Sequence, residues 1–387
     1  METVTERRVE RNLGIDLLRI LSMFMVVLLH ILGKGGVLSN TVSLSLNYNV
    51  AYFIEIAAYC AVNCYALVSG YVGLNSRHRF SNIATLWLQV VFYCVIITTT
   101  MFFFYPQLIN WKSFVKTFFP VTFSSYWYFT AYFCMWFFIP IMNTAIKKLN
   151  KKEMGRCLLY GGIIIIPISL LTDSFGFNNG YGVLWLAFLY LTGAYIAEYD
   201  LLKCFSVKKS LIAVVLSVFI SWTAKLLFIK FLGTDNFFDS KIQNYVSPFV
   251  FLEAVALLSL FSKIKPVGKP AKLISVLSPL CFSVYLIHTH PLIFNNVFSG
   301  LFSKLAKASA PVMNIGVIAS AVAVYIGCSV IDYVRLWLFK KLQIKKKLDS
   351  IEAKTEVIGE KLAEKFKFKV SHKSLPKGLT VTGGYTS

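Results

Sequence analysis

The chain has 387 residues, of which 57% are hydrophobic and 15% are charged. Soluble domains carry about 25% charged residues, so this composition excludes an ordinary soluble protein. The formal net charge of +21 is large enough to raise nucleic-acid binding as a function. However, the basic residues lie in alternate loops and in the C-terminal tail, which is typical of a membrane protein beside anionic lipid. We therefore expect membrane lipid as a partner and no nucleic acid.

Long apolar runs recur along the chain, as expected for helices that cross a bilayer. They predict an all-α protein, a polytopic transmembrane helical bundle of about ten helices. The predicted spans are about 13–33, 48–73, 82–105, 126–146, 156–172, 181–199, 209–232, 246–262, 276–299 and 312–339.

The distribution of lysine and arginine predicts how this bundle is oriented. Seventeen basic residues fall in the N-terminal segment and in the loops after even-numbered spans, against seven in the other loops. Because basic loops remain on the cytoplasmic side, both termini are predicted to be cytoplasmic. The chain then divides into a cytoplasmic N-terminal segment (1–11), a transmembrane domain (12–340) and a basic, partly disordered cytoplasmic tail (341–387). Within the tail, residues 349–365 are predicted to form an amphipathic helix.

The first span carries three ionisable residues, Asp16, Arg19 and His30. Arg19 and His30 are eleven residues apart, about three helical turns, so both leave the same face about 16 Å apart along the axis. Such a stripe is costly in a membrane unless it faces a cavity or a partner. A histidine in a partly dry site can act as a general base toward a hydroxyl. An arginine can grip a phosphate or polarise a carbonyl, or can simply snorkel to the interface.

The second span contains Ser69-Gly70 near its end and is followed by Arg77 and Arg79. The two arginines serve either as topology signals or as a phosphate clamp at the cytoplasmic mouth of the bundle. Gly70 would allow a close approach of the backbone to a ligand.

The fourth span opens with aromatic residues that include Trp127, and it contains Pro140. The aromatic cluster is either part of an interfacial belt or a floor on which a sugar stacks. Pro140 predicts a kink in this span.

The ninth span contains Tyr285 and His288, which are three residues apart and share a helical face. Side chains of this type are unusual against lipid, so they are expected to line the same cavity as His30.

Further ionisable residues lie at predicted membrane depth, where such groups are functional candidates. Glu55 and Glu253 both fall in the outer halves of their spans, and either one could orient His30. Lys225 is a third candidate, whereas Asp332 and Arg335 are spaced as a structural ion pair. The cysteines and histidines have no spacing typical of metal ligands, so no metal site is expected.

Four stretches of the chain together resemble the acyltransferase-3 family of integral membrane acyltransferases. They are Gly14–Arg19 with His30, which matches the family's pattern of an arginine, ten residues and a histidine; Leu67–Tyr71 followed by arginines; the Trp127 region ending at Pro140; and Tyr285–His288.

The resemblance implies a membrane-bound, acetyl-CoA-dependent O-acyltransferase. Its acetyl group would pass from cytoplasmic acetyl-CoA to a hydroxyl of a cell-surface, capsule or exopolysaccharide glycan, with no bound cofactor. His30 would take the catalytic role, Arg19 would support the acyl donor, and Arg77 and Arg79 match the family's arginine-bearing segment. A plasma membrane, most simply a bacterial cell membrane, is the expected location. The alternatives are a glycan transporter or flippase, and a non-catalytic membrane subunit of a polysaccharide assembly complex.

Overall fold

The computed structural model describes residues 11–172, 176–234 and 237–371, so residues 1–10 of the predicted N-terminal segment and the last part of the predicted tail lie outside the described residues. The described residues form helices joined by short loops, with no strands among them. The first nine α-helices are α1 (Leu13–Leu32), α2 (Leu46–Ala58), α3 (Ala61–Gly73), α4 (Phe80–Phe104), α5 (Trp111–Lys116), α6 (Trp127–Trp136), α7 (Ile139–Lys148), α8 (Lys151–Leu171) and α9 (Val183–Glu198).

Eight more α-helices complete the described chain. They are α10 (Val207–Leu232), α11 (Phe237–Ile242), α12 (Pro248–Ser262), α13 (Gly268–Leu277), α14 (Cys281–His288), α15 (Pro291–Ile293), α16 (Ala310–Lys341) and α17 (Ile344–Ser371).

Within the described residues, seven helices or nearly continuous helix pairs are long and apolar enough to cross a membrane. The pair α6 and α7 makes an eighth if the two are counted as one bent span. The predicted bundle of about ten also counted α9 and α12, which are apolar but have only 16 and 15 residues. At 1.5 Å per residue, such helices are somewhat shorter than the hydrocarbon core of about 30 Å.

Two predicted spans have a different internal structure from a single straight helix. The α6–α7 span bends by 57° just before Pro140, which confirms the predicted kink. The ninth span was predicted at 276–299, but the apolar helical segment runs over Gly268–His288 and then ends. Pro291 follows this end, and a proline cannot continue the hydrogen-bond ladder of a preceding helix.

Helix α1 lies in the middle of the bundle, where it contacts α2, α3, α12, α13, α14 and α16. Its first turn is fixed by Asn12, whose side chain accepts hydrogen bonds from the N–H groups of Gly14 and Ile15 and donates to the carbonyl of Ser262. Because neighbouring helices surround α1, its charged stripe faces protein and not lipid.

Helices α3 and α9 pack with their backbones in close contact. A Cβ atom built on Gly70 would lie 1.9 Å from the carbonyl oxygen of Tyr190, and one built on Gly193 would lie 2.1 Å from that of Leu67. Small residues therefore allow the two backbones to touch, as is common between membrane helices.

Candidate functional site

The imidazole rings of His30 on α1 and His288 on α14 are joined by a hydrogen bond of 2.8 Å between Nδ1 of His30 and Nε2 of His288. The other ring nitrogen of His288, Nδ1, lies 2.5 Å from the carbonyl oxygen of Val284, one turn earlier in α14. His288 is buried, whereas His30 is partly accessible. The rings of Phe294 and His30 pack edge to face, with 5.0 Å between their centroids and an interplanar angle of 76°.

These contacts determine where the protons of the two neutral rings lie. A carbonyl oxygen only accepts, so Nδ1 of His288 carries the hydrogen and its Nε2 is an acceptor. Nδ1 of His30 must then be the donor, which leaves a lone pair on Nε2 of His30. The order Val284–His288–His30 thus holds the accessible imidazole in the tautomer that a general base requires.

His30 lines a cavity of about 420 Å³, here called the His30 cavity. Its wall is aromatic, with one carboxylate and one lysine among the polar groups. The lining residues are Met23, Val26, Leu29, His30, Gly33, Lys34, Glu55, Tyr59, Val62, Tyr65, Trp127, Tyr128, Tyr181, Tyr245, Phe282, Tyr285 and Phe294.

The predicted residues Trp127 and Glu55 give this cavity an aromatic face and a carboxylate, respectively. Trp127 stacks on Tyr245 with 6.0 Å between ring centroids and an interplanar angle of 24°. Glu55 accepts a hydrogen bond of 2.8 Å from the amide of Gln243, whose oxygen accepts from Lys225. The cavity therefore offers aromatic faces together with an oriented carboxylate.

Arg19 lies near the N-terminal end of α1, and its guanidinium is hydrogen-bonded to Asp16. Its Nη1 donates to Oδ1 of Asp16 over 3.0 Å, and the same carboxylate accepts from Nε of Arg11 and from the hydroxyl of Ser278. Asp16 is 3% exposed, so a buried carboxylate fixes a guanidinium that is itself partly accessible.

Arg19 lines a second, smaller cavity of about 210 Å³, here called the Arg19 cavity. It brings Arg19 together with the predicted residues Ser69, Arg77 and Arg79. The lining residues are Arg19, Ser69, Val72, Gly73, Ser76, Arg77, His78, Arg79, Asn82, Ile83, Leu86, Tyr132, Trp136, Ile139 and Tyr190. Three arginines around one small cavity suit an anion, and phosphate is the anion that arginine grips bidentately.

A tyrosine layer lies between the two cavities. The hydroxyl of Tyr65, which lines the His30 cavity, donates to the backbone carbonyl of Arg19 over 2.8 Å. Tyr128 lines the His30 cavity and Tyr132, one turn later in α6, lines the Arg19 cavity, and their rings stack 6.5 Å apart. The His30 and Arg19 cavities are thus neighbours along α1, separated by side chains.

Of the remaining predicted residues, some line one of the two cavities and others lie elsewhere in the bundle. Tyr285 lines the His30 cavity as expected. The neighbour of Gly70 is the backbone of Tyr190, which takes the space beside the glycine that a ligand was predicted to use. Asp332 and Arg335 form the predicted ion pair, which is bidentate, with distances of 2.7 and 2.8 Å, and buried.

Several lining residues were missed by reasoning from sequence. Tyr65 had a usable signal, because it stands four residues before Ser69 on the same helical face. Tyr181 and Tyr245 had none, since they stand at the edges of predicted spans and reach the cavity from the loops before α9 and α12. In the part of the chain that the structure describes, no three histidine, cysteine or acidic side chains are grouped as a metal site would require.

Comparison with known proteins agrees with the resemblance carried by the motifs. Residues 12–333 match the family model described as an acyltransferase domain, that of the acyltransferase-3 family. Searches of curated proteins and of solved structures returned no match. The match covers most of the chain and includes both cavities, α1 with its arginine and histidine, and α14. The chain therefore belongs to the acyltransferase-3 family and is a multi-pass membrane acyltransferase.

Proposed function

We propose that this protein transfers an acetyl group from acetyl-CoA to a hydroxyl group of a cell-surface or exopolysaccharide glycan. The observation that carries the proposal is the hydrogen-bond order Val284–His288–His30, which leaves a lone pair on Nε2 of an imidazole that lines a cavity. In an acyltransferase, a group of this kind is suited to accept the proton of an attacking hydroxyl.

The Arg19 cavity is the proposed entry point of the acyl donor. Coenzyme A is polyanionic, and Arg19, Arg77 and Arg79 are the charged residues of this cavity. Arg19 and His30 are about 16 Å apart along α1. Arg19 is therefore better placed to hold the donor than to touch the reacting carbonyl, and the pantetheine arm would pass the tyrosine layer toward His30.

The His30 cavity is the proposed site of the acceptor. Aromatic faces such as Trp127 and Tyr245 pack against the apolar face of a sugar ring, while a carboxylate such as Glu55 accepts hydrogen bonds from its hydroxyls. A cavity with mostly apolar walls and a few placed polar groups is typical of a small-ligand site.

His30 is the general base of the proposed direct acetyl transfer. The acceptor oxygen attacks the thioester carbonyl as His30 Nε2 takes its proton; the new C–O bond forms and the C–S bond of acetyl-CoA breaks. The imidazolium then returns the proton to the sulfur, giving free coenzyme A. A route through an acetyl-histidine uses the same nitrogen as nucleophile, with water or another base taking the acceptor proton.

The predicted orientation places the Arg19 cavity toward the cytoplasm and the His30 cavity toward the outer face of a plasma membrane. The loops after α3, α7 and α12 should accordingly be labelled only from the cytoplasmic side by a membrane-impermeant thiol reagent after introduction of single cysteines. Labelling from outside would contradict the donor site, because acetyl-CoA is a cytoplasmic metabolite.

The direct test uses the purified protein in vesicles with radiolabelled acetyl-CoA and a panel of lipid-linked and soluble oligosaccharides. We expect label in the glycan fraction that is released by mild alkali, as an O-acetyl ester is and an N-acetyl amide is not. His30→Ala serves as the inactive control. Glycan export without acetylation would favour a transporter. Activity that appears only when a separate transferase is added would favour a non-catalytic subunit.

A further inference from the structure

Helix α17, which follows the last long membrane helix, lies against the first turn of α4. Arg79 occupies the N-cap position of α4, but its side chain makes no capping hydrogen bond. The cap comes from α17: the carboxylate of Glu352 accepts from the N–H of Phe80 over 2.5 Å and from the N–H of Ser81 over 3.3 Å. Free N–H groups at a helix start are satisfied well by a carboxylate, which also complements the helix dipole.

A second set of contacts surrounds the hydroxyl of Ser81. This hydroxyl donates to Asp349 over 2.6 Å and accepts from Nζ of Lys345 over 2.6 Å. Lys345 also donates to the side-chain oxygen of Asn82 over 2.7 Å, and Asp349 lies 3.8 Å from Nη1 of Arg79. Acidic and basic side chains on about two turns of the tail helix thus bind the start of α4.

The start of α4, which α17 contacts, directly follows the loop that lines the Arg19 cavity. The loop 74–79 joins α3 to α4 and carries Arg77 and Arg79, both of which line that cavity. Leu74 anchors one end of the loop in the core, whereas residues 75–78 are exposed. The other end of the loop is the start of α4, which α17 caps.

We propose that α17 is part of the donor site: it holds the arginine-bearing loop in the position that binds the phosphates of acyl-CoA, and Glu352 and Asp349 are positioning residues. This inference rests on the proposed function for the identity of the anion. Both oxygens of Glu352 are bonded to α4 amides, and Lys345 adds a positive charge beside Asn82, a residue of the cavity wall. An exposed loop that is not held must be ordered when the ligand binds, and that entropy cost weakens binding.

The opposite role for the same contact would be competition, in which the acidic residues of α17 occupy the arginines and exclude phosphate. The two roles predict opposite effects of losing the cap. Removal of a positioning residue weakens acyl-CoA binding, whereas removal of a competitor strengthens it.

The test compares Glu352→Ala with Glu356→Ala in the full-length protein. Glu356 lies one turn further along α17 and is exposed, so its replacement changes the charge of the helix equally and leaves the hydrogen bonds of Glu352 and Asp349 to α4 in place. The first measurement is hydrogen–deuterium exchange of peptides covering residues 74–82. The second is the KM for acetyl-CoA and the kcat.

We expect Glu352→Ala to increase exchange in this loop and to raise the KM about three- to tenfold with kcat unchanged, in line with the cost of losing a helix cap. Glu356→Ala should match the wild type in both. A KM that falls in Glu352→Ala, or one that stays unchanged, would overturn the positioning role.

Coenzyme A added during exchange separates this inference from the proposed function. Protection of residues 74–82 by coenzyme A in the wild type, with a higher concentration needed for Glu352→Ala, supports both. Absence of protection and of acetyl transfer in the wild type would refute the proposed donor site itself. Equal protection of wild type and Glu352→Ala would refute only the role of α17.

Discussion

His30 and His288 are separated by 258 residues in the chain, and their rings are joined by a hydrogen bond of 2.8 Å. Because Val284 fixes the proton of His288, this single contact sets the tautomer of His30. A relay in which a second residue orients the imidazole of a base is a common feature of acyl-transfer enzymes. Here the orienting group is another imidazole and its own orientation comes from the backbone.

The first prediction concerns this pair. His30→Ala should lower kcat about 10²- to 10⁴-fold, because the base is lost from the transition state. His288→Ala should also lower kcat by about 10²-fold or more with little change in either KM, because an unoriented ring samples both tautomers. His290→Ala is the matched control: His290 is buried nearby and accepts from the N–H of Leu292, outside the relay. Radiolabelled transfer assays would measure all three, and a His288→Ala variant with normal kcat would contradict the relay.

The second prediction concerns the guanidinium of Arg19. Arg19→Lys should lower kcat/KM about tenfold or more, because a lysine keeps the charge but loses the planar fork that grips an anion while bonded to Asp16. Arg11→Lys is the control, since Arg11 bonds to the same carboxylate but does not line the Arg19 cavity. Steady-state kinetics with varied acetyl-CoA would test the pair, and equal effects of the two substitutions would assign Arg19 a structural role only.

The third prediction separates donor binding from chemistry. Arg77→Ala and Arg79→Ala should each raise the KM for acetyl-CoA and leave kcat unchanged, because a phosphate contact far from the carbonyl contributes equally to the ground state and the transition state. Arg156→Ala removes an exposed arginine on α8 and should behave as the wild type. The same kinetic assay applies, and a fall in kcat with constant KM would place the arginines near the chemistry instead.

The fourth prediction concerns the α3–α9 contact. Gly70→Ala should destabilise the protein by about 1–3 kcal/mol or more, since a methyl group 1.9 Å from the carbonyl oxygen of Tyr190 forces two backbones apart. Gly327→Ala is the control, because a Cβ there would meet no atom within 4 Å. Thermal unfolding in detergent, followed by fluorescence-detected gel filtration, compares the two. Unchanged stability of Gly70→Ala would show that the contact can relax.

The fifth prediction is a pH dependence of the contact between α17 and α4. Hydrogen bonds from Ser81 and Lys345 lower the pKa of Asp349. For Glu352, partial desolvation raises the pKa, but hydrogen bonds from Ser81 and Phe80 outweigh it and lower the pKa overall. A lowered carboxyl pKa means that the contact is fully stable above the free value of about 4 and is lost as the pH falls through the lowered values.

Spin-label distances would check this dependence. With labels at Asn75→Cys and Glu356→Cys, in a chain without the exposed cysteines 134, 157 and 204, the distance distribution should be narrow at pH 7 and should broaden only in acid below the usual carboxyl range. Broadening that begins near pH 6 would contradict a contact held by these two carboxylates.

The sequence alone determined the class of the protein and the key side chains of the first helix. Apolar runs of this length leave a membrane bundle as the outcome, because only helices satisfy their own backbone groups in lipid. The eleven-residue spacing of Arg19 and His30 placed both on one face by helical geometry alone. The spacing of Tyr285 and His288 likewise placed them together on another helix, and Pro140 marked the bend.

Only the tertiary structure decided which distant side chains meet. Sequence left Glu55 and Glu253 as partners for His30, but the ring that bonds to it is that of His288. Periodicity gives the face of a helix but not its neighbour, so the separation of Arg19 and His30 into two cavities also had to come from packing. The contact of Glu352 with the start of α4 joins segments more than 270 residues apart. Such contacts depend on how whole helices pack, and no local pattern of residues encodes that arrangement.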